Sequence, residues 1–201
     1  MSSKRWKDEH FNDYYVKKAH KEGYVCRAAY KLIEMNDKFN LLRKGMTLVD
    51  LGAAPGGWCQ VASKLIGRQG SVVAIDLLPL KIKANVNFIQ GDFTNDNSLS
   101  KLLEVAGDCI DIVVSDMAPD LKGHKVADQM ACLNLVESAL DFAVNNLSAG
   151  GVFLTKIFQG SGVDELVKLM RTRFEKVKIF KPKSSRPKSA EVYLVGLAFL
   201  G

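Results

Sequence analysis

The sequence predicts an α/β protein with a Rossmann-like sheet of seven strands. The sheet is mostly parallel, with helices on both faces and an antiparallel last strand. Three observations carry this prediction. Short apolar runs of strand length alternate with segments of helical periodicity through most of the chain. The first apolar run, 46–51, passes through the glycine-rich stretch Asp50-Leu51-Gly52-Ala53-Ala54-Pro55-Gly56-Gly57-Trp58 directly into a helical pattern. Finally, Asp50, Asp76, Asp92, Asp116 and Lys156 fall at or near the ends of five successive strand runs. In an open parallel sheet those tips border the ligand crevice, and an unpartnered charge buried there would cost stability.

The elements follow in order. Residues 9–21 read as an amphipathic helix carrying Phe11, Tyr14, Tyr15 and Ala19, broken by Gly23, and 26–39 as a second helix containing Lys31. Together they make a basic helical extension, 1–44, to a catalytic sheet core, 45–201, within one domain. Strands are predicted at 46–51, 72–76, 86–90, 110–115, 152–157, 176–181 and 190–199. Helices are predicted at 57–67, 98–106, 127–147 and 163–174. No helix separates the last two strands, only a basic loop with Pro182 and Pro187, which favours an antiparallel pair.

Composition narrows the function classes. The chain has 201 residues, enough for a sizeable core, and no apolar run near the ~20 residues that a membrane helix needs. The first residues lack the apolar centre of a signal peptide. Cys26, Cys59, Cys109 and Cys132 show no zinc spacing, and His10, His20 and His124 no ligand pattern, so we expect reduced thiols, no metal and a cytoplasmic location. The net charge of +6 is uneven. Residues 1–44 carry eleven Lys/Arg against six Asp/Glu, 176–190 carry six Lys/Arg and no acid, and 45–175 carry eleven against fifteen. Basic ends around an acidic middle point to a polyanionic partner.

The glycine spacing selects the ligand. Gly52 is followed by Ala53, Ala54, Pro55 and Gly56, so the dinucleotide pattern Gly-x-Gly-x-x-Gly fails, and Trp58 after Gly57 excludes a phosphate-binding loop. An acid followed by Gly-x-x-x-Gly-Gly suits a ligand bearing an amine and a carboxylate, such as the methionine end of S-adenosylmethionine. Asp50, or the backbone at Gly52 and Gly56, can meet that end. Gly56 and Gly57 are expected to remove side chains where the ligand approaches the backbone. Asp76, 24 residues after Gly52, suits ribose hydroxyls, and Asp92 an adenine amine. Asp116 opens Asp-Met-Ala-Pro, which lacks the aromatic residue that sandwiches a base in amine methyltransferases. Lys156 at the next tip suits an alcohol acceptor, because a ribose 2′-OH needs a base or a nearby positive charge. Lys31 and Glu191 complete a set of two lysines and two acids.

On these motifs the sequence closely resembles the FtsJ/RrmJ family of heat-shock ribosomal RNA 2′-O-ribose methyltransferases, of the bacterial large-subunit type. The resemblance covers almost the whole chain. It includes Arg5-Trp6, Glu9-His10-Phe11, the segment from Asp50 to Trp58, Asp76-Leu77-Leu78-Pro79 and Gln90-Gly91-Asp92-Phe93. It continues through Ser115-Asp116-Met117-Ala118-Pro119, Lys156-Ile157-Phe158-Gln159-Gly160, Ser184-Ser185-Arg186 and Glu191-Val192-Tyr193. Asp120-Leu121-Lys122-Gly123 departs from the asparagine-containing form expected of the family. The resemblance implies a Rossmann-like S-adenosylmethionine-dependent methyltransferase fold and a catalytic set at Lys31, Asp116, Lys156 and Glu191. It places cofactor contacts at Gly56, Trp58, Asp76, Asp92 and Asp116. The implied acceptor is a uridine ribose in the aminoacyl-site loop of 23S ribosomal RNA, in an assembled or nearly assembled large subunit. Lys4, Arg5, Lys17, Lys18, Arg27, Lys181, Lys183, Arg186 and Lys188 are expected to form one RNA-binding surface. Neither a membrane nor an obligate protein partner is expected. Rival readings are 2′-O-methylation of transfer RNA or an mRNA cap, and a non-catalytic RNA-binding assembly factor.

Overall fold

Hydrophobic alternation and glycine turns give the sheet its order in the computed structural model, which describes residues 13–120 and 122–201. Asp13 caps the first helix, α1 (Tyr14–Glu22), by accepting from the Tyr15 N–H at 2.9 Å, and Gly23 ends it in the left-handed region. The start expected for this helix, at residue 9, lies outside the described residues. Helix α2 (Ala29–Phe39) stops at Asn40, which also adopts a positive φ of 52°. Next come β1 (Thr47–Leu51), α3 (Gly57–Ile66), β2 (Ser71–Asp76), β3 (Asn87–Gln90), α4 (Asp96–Ala106) and β4 (Ile110–Ser115). The chain finishes with α5 (Lys125–Asn146), β5 (Leu147–Phe158), α6 (Val163–Arg171), β6 (Phe174–Phe180) and β7 (Glu191–Phe199).

The strands form one sheet in the order β3-β2-β1-β4-β5-β7-β6. All neighbours from β3 to β5 are parallel, and β7 runs antiparallel between β5 and β6. Connections from β1 and β4 leave in opposite directions, so a crevice opens beyond their C-terminal ends. Central strands are buried on both faces and read as continuous apolar runs. One face takes Leu48, Ile112, Val114, Leu154, Tyr193 and Val195 against α2 and α3, through Leu32, Met35, Trp58 and Val61. The other takes Val49, Val113, Phe153 and Leu194 against α4, α5 and α6, through Leu102, Val136, Leu140, Leu166 and Met170. Helix α2 thus packs on the sheet through Ala29, Leu32 and Met35.

Boundaries differ from expectation where tertiary pairing overrides local pattern. Helix α6 ends at Arg171 instead of 174, because Phe174 is buried in β6, paired with Phe199. Strand β5 begins five residues early, since Leu147 pairs with Ile110 before a bulge.

Asp50 lies within β1, 1 % exposed, where it accepts from Cys59 Sγ at 3.1 Å. Burial raises its carboxyl to about 7. A raised folded-state value means that the native protein holds a proton that the unfolded chain has released between about pH 4 and about pH 7. Stability conferred by the protonated form is thus lost as pH rises through that window. Asp50→Asn should remove this loss, gaining up to about 4 kcal/mol relative to wild type at pH 8 over pH 4. Urea denaturation across that range checks it, and parallel pH profiles for the two proteins would contradict it.

Candidate active site

The turn after β1 builds one wall of a cavity of about 640 Å³ at the C-terminal ends of β1, β2 and β4. Gly52 takes a φ of 75°, and a Cβ there would lie 2.0 Å from Met117 Cγ, so both conformation and space require glycine. Gly52, Ala54, Asp76, Asp92, Asp116, Met117 and Asp120 line the cavity, with Phe93 as an apolar wall. Asp76 accepts from the Ala54 N–H and the Leu78 N–H, each at 2.8 Å, which fixes the turn to the tip of β2. Asp92 accepts from the Thr94 N–H and hydroxyl through Oδ1 alone. Four aspartates line this cavity and, among the described residues, no lysine or arginine does. Such a lining disfavours a pyrophosphate and suits a ligand that carries positive charge.

Other residues of the glycine stretch make contacts within the protein. Asp50 is sealed behind the turn against Cys59. A Cβ on Gly57 would stand 2.5 Å from Cys26 Sγ and 3.3 Å from the Ala29 nitrogen, so this glycine lets the start of α2 approach α3. Gly56, with a φ of 108°, packs against Ile82 in the same manner. Trp58 is 3 % exposed, donates Nε1–H to the Ala28 carbonyl at 2.8 Å and leans on Tyr193. It supports the site from beneath without lining the cavity.

Four charged side chains from distant segments converge beside the cavity. Lys31, on α2, lies 2.9 Å from Glu191 Oε1 and 3.5 Å from Asp116 Oδ2. Lys156, near the end of β5, lies 3.2 Å from Asp116 Oδ1 and donates to the Asp116 carbonyl at 2.6 Å. Lys31, Lys156 and Glu191 are only 9, 8 and 9 % exposed, so each charge needs its partner. Two further residues hold the set and were not among the predicted site residues. Tyr193 donates to Asp116 Oδ1 at 2.7 Å, and Ser185 donates to Glu191 Oε1 at 2.7 Å. Burial first, then Asp116 and Glu191, raises the Tyr193 phenol well above its ordinary range and keeps it a donor. The signal for Tyr193 lay in strand register: Lys156 faces Tyr193 directly across β5 and β7, and Phe158 faces Glu191.

A second cavity, about 720 Å³, opens where the first turns of α5 meet the ends of β5 and β7. Gln129, Met130, Cys132, Phe158 and Ala190 line it. Phe158 pairs with Glu191 and Ala190 precedes it, which places this cavity beside the charged cluster.

Seven of the nine expected RNA-binding residues are among the described residues. Lys4 and Arg5 lie outside them. Arg27 is committed elsewhere: its guanidinium pairs with Asp13 and donates to the Ser184 carbonyl, and burial and the neighbouring Arg186 lower its pKa. Lys18 pairs with Glu22 at 3.9 Å and covers the Tyr30 ring. Lys181 staples its own loop through the Pro187 and Ser189 carbonyls. Lys17, Lys183, Arg186 and Lys188 are exposed.

Comparison with known proteins agrees with this architecture. Residues 24–199 match the family described as FtsJ-like methyltransferase. This chain belongs to the FtsJ-like methyltransferase family. The methyltransferase is 52 % identical, over its whole length and 95 % of the relative, to ribosomal RNA large subunit methyltransferase E of Cellvibrio japonicus. It is 50 % identical to the protein of the same name from Francisella philomiragia, over its whole length and 98 % of the relative. The crystal structure of a Plasmodium falciparum ribosomal RNA methyltransferase superposes with a TM-score of 0.78 at 34 % identity, covering 89 % of this chain and all of that one. A Clostridium thermocellum rRNA-methylase, at 16 % identity and a TM-score of 0.57, shares the fold over 84 % of this chain and 97 % of its own.

The buried phenol gives a direct test of the cluster's packing. Tyr193→Phe removes one hydrogen bond to a charged acceptor and keeps the ring, so it should lower unfolding free energy by about 1.5–3 kcal/mol. Urea denaturation at pH 7 measures this, and a change under about 0.5 kcal/mol would mean that the Tyr193–Asp116 bond carries no weight.

Proposed function

We propose that this methyltransferase transfers a methyl group from S-adenosylmethionine to a ribose 2′-OH of ribosomal RNA. The acceptor is a uridine in the aminoacyl-site loop of the large subunit, methylated on the particle in the cytoplasm. The observation that carries the chemistry is the Lys31–Asp116–Lys156–Glu191 cluster beside an acidic cavity at the sheet's crevice. Relatives at about half identity that are named for large-subunit ribosomal RNA support the substrate class.

The cavity suits the cofactor. When bound, S-adenosylmethionine supplies an electrophilic methyl group on a positively charged sulfur. An all-aspartate set of charged lining residues attracts that charge. Asp76 and Asp92 hold the adenosine half, since each Asp76 oxygen, engaged once, retains a lone pair, and Asp92 takes both Thr94 donors on Oδ1 and leaves Oδ2 for a hydroxyl or amine. The Gly52 turn and Asp116 hold the methionine half.

Lys156 does the work on the acceptor oxygen. It donates one N–H to the Asp116 carbonyl and forms an ion pair with the Asp116 carboxylate. A position on nitrogen outside these contacts carries either an N–H, which stabilises the forming oxyanion, or a lone pair, which takes the hydroxyl proton. Asp116 fixes the direction of that position. Lys31 and Glu191 balance the charge and steady the ribose, which approaches from the second cavity.

Lys156→Ala should bind S-adenosylmethionine within about twofold of wild type by calorimetry, yet lose about 10² or more in single-turnover methyl transfer to large-subunit particles. Arginine keeps the charge but does not act as a base. Substantial activity in Lys156→Arg would assign the electrostatic role. A near-wild-type rate in Lys156→Ala would overturn the mechanism.

A further inference from the structure

The loop between β6 and β7 is basic and faces solvent, yet its backbone is held from below by one acid. Glu34 Oε2 accepts the Lys183 N–H at 2.6 Å, and Glu34 Oε1 accepts the Ser184 N–H at 2.9 Å. Both oxygens of one carboxylate are thus spent on consecutive backbone donors, a charge-assisted pair that fixes the local chain direction. Arg27 grips the same point from the other side, donating to the Ser184 carbonyl while Asp13 holds its guanidinium. The next residue, Ser185, is buried and donates to Glu191 Oε1.

Glu34 and Lys31 sit three residues apart on α2, on one face and about one turn from each other. That face therefore holds the β6–β7 connection twice, at 183–184 through Glu34 and at 191 through Lys31. Between the two grips, Ser185 passes the position of the loop to the same Glu191 oxygen that Lys31 contacts. The tetrad accounts for Lys31 and Glu191 but not for Glu34, Arg27 or Ser185.

We propose that Glu34 is a positioning residue for the reaction: by clamping the backbone at Lys183 and Ser184, it sets Ser185 and hence the Glu191–Lys31 half of the charged cluster. The inference rests on the 2′-O-methylation of ribosomal RNA proposed above. Its chemical consequence is coupling. Lys183 and Lys188 extend from the clamped loop where RNA phosphate can meet them, so contact with the acceptor RNA and the geometry of Glu191 share one rigid segment. A displacement of about 1 Å at the reacting groups costs up to about 10²-fold in rate. The clamp therefore acts on turnover and not on the cofactor cavity, which none of its residues lines.

The test compares wild type, Glu34→Gln, Ser185→Ala and the double variant, all full-length. Single-turnover methylation of unmethylated large subunits at saturating S-adenosylmethionine and particles should fall about tenfold in each single variant. Cofactor affinity by calorimetry should stay within about twofold. Because Glu34 and Ser185 act along one chain of contacts, the double variant should be no slower than the slower single variant by more than about twofold. Hydrogen exchange followed by mass spectrometry should show faster exchange across 183–191 in Glu34→Gln. Rates within twofold of wild type, or fully multiplicative losses in the double variant, overturn the proposal. A wild type inactive on every RNA offered overturns the proposed function instead. The exchange measurement then still decides the clamp, since unchanged protection at 183–191 in Glu34→Gln rejects it.

Discussion

One carboxylate ties the structure together. Asp116 follows directly on β4, at the crevice where the strand order reverses, and receives donors from three separate elements: Lys31, Lys156 and Tyr193. It also forms part of the lining of the acidic cavity. Removing one member of a buried ionic set leaves an uncompensated charge, at a cost of about 3–5 kcal/mol. The positions of α2, β5 and β7 are thus mutually constrained by electrostatics as well as by apolar packing. Since residues 31, 116, 156 and 191 lie far apart in sequence, the cluster exists only in the complete fold. An N-terminal helix, a central strand tip and the antiparallel strand must all be in place.

Charge is sorted by location. The cavity beyond β1, β2 and β4 presents aspartates, while the β6–β7 loop, none of whose cations lines that cavity, carries exposed Lys183, Arg186 and Lys188. In the reaction proposed above, this sorting would draw a cationic cofactor and a polyanionic substrate to different places. Within the charged set, two lysines and two acids compensate one another, so the protein can bury the cluster without a large net charge. Gly52 contributes at the same junction, since any side chain there would displace Met117 beside Asp116.

Much of this was legible in the sequence, for physical reasons. The ends of β2 and β4 were visible because their apolar runs stop at Asp76 and Asp116. The pairing of β6 with β7 followed from the missing helix between them. What remained hidden depends on packing across the molecule. Nothing local to Gly57 says that its missing Cβ makes room for Cys26, and nothing in the periodicity of α2 separates Glu34 from an ordinary solvent-facing acid. Arg27 reads as one more cation of a basic segment until its partners, Asp13 and the Ser184 carbonyl, are seen. Tyr193 became readable only with the β5–β7 register, which turns a strand tyrosine into the donor that orients Asp116.

The central claim is that this charged cluster serves methyl transfer to a ribose hydroxyl of large-subunit RNA. Mass-spectrometric mapping of nucleosides in ribosomal RNA tests it most directly, using unmethylated large subunits treated with the purified protein and isotopically labelled S-adenosylmethionine. The account predicts label on a 2′-oxygen at a single uridine in the aminoacyl-site loop. Label on a nucleobase, or labelled transfer RNA with unlabelled large-subunit RNA, would contradict it.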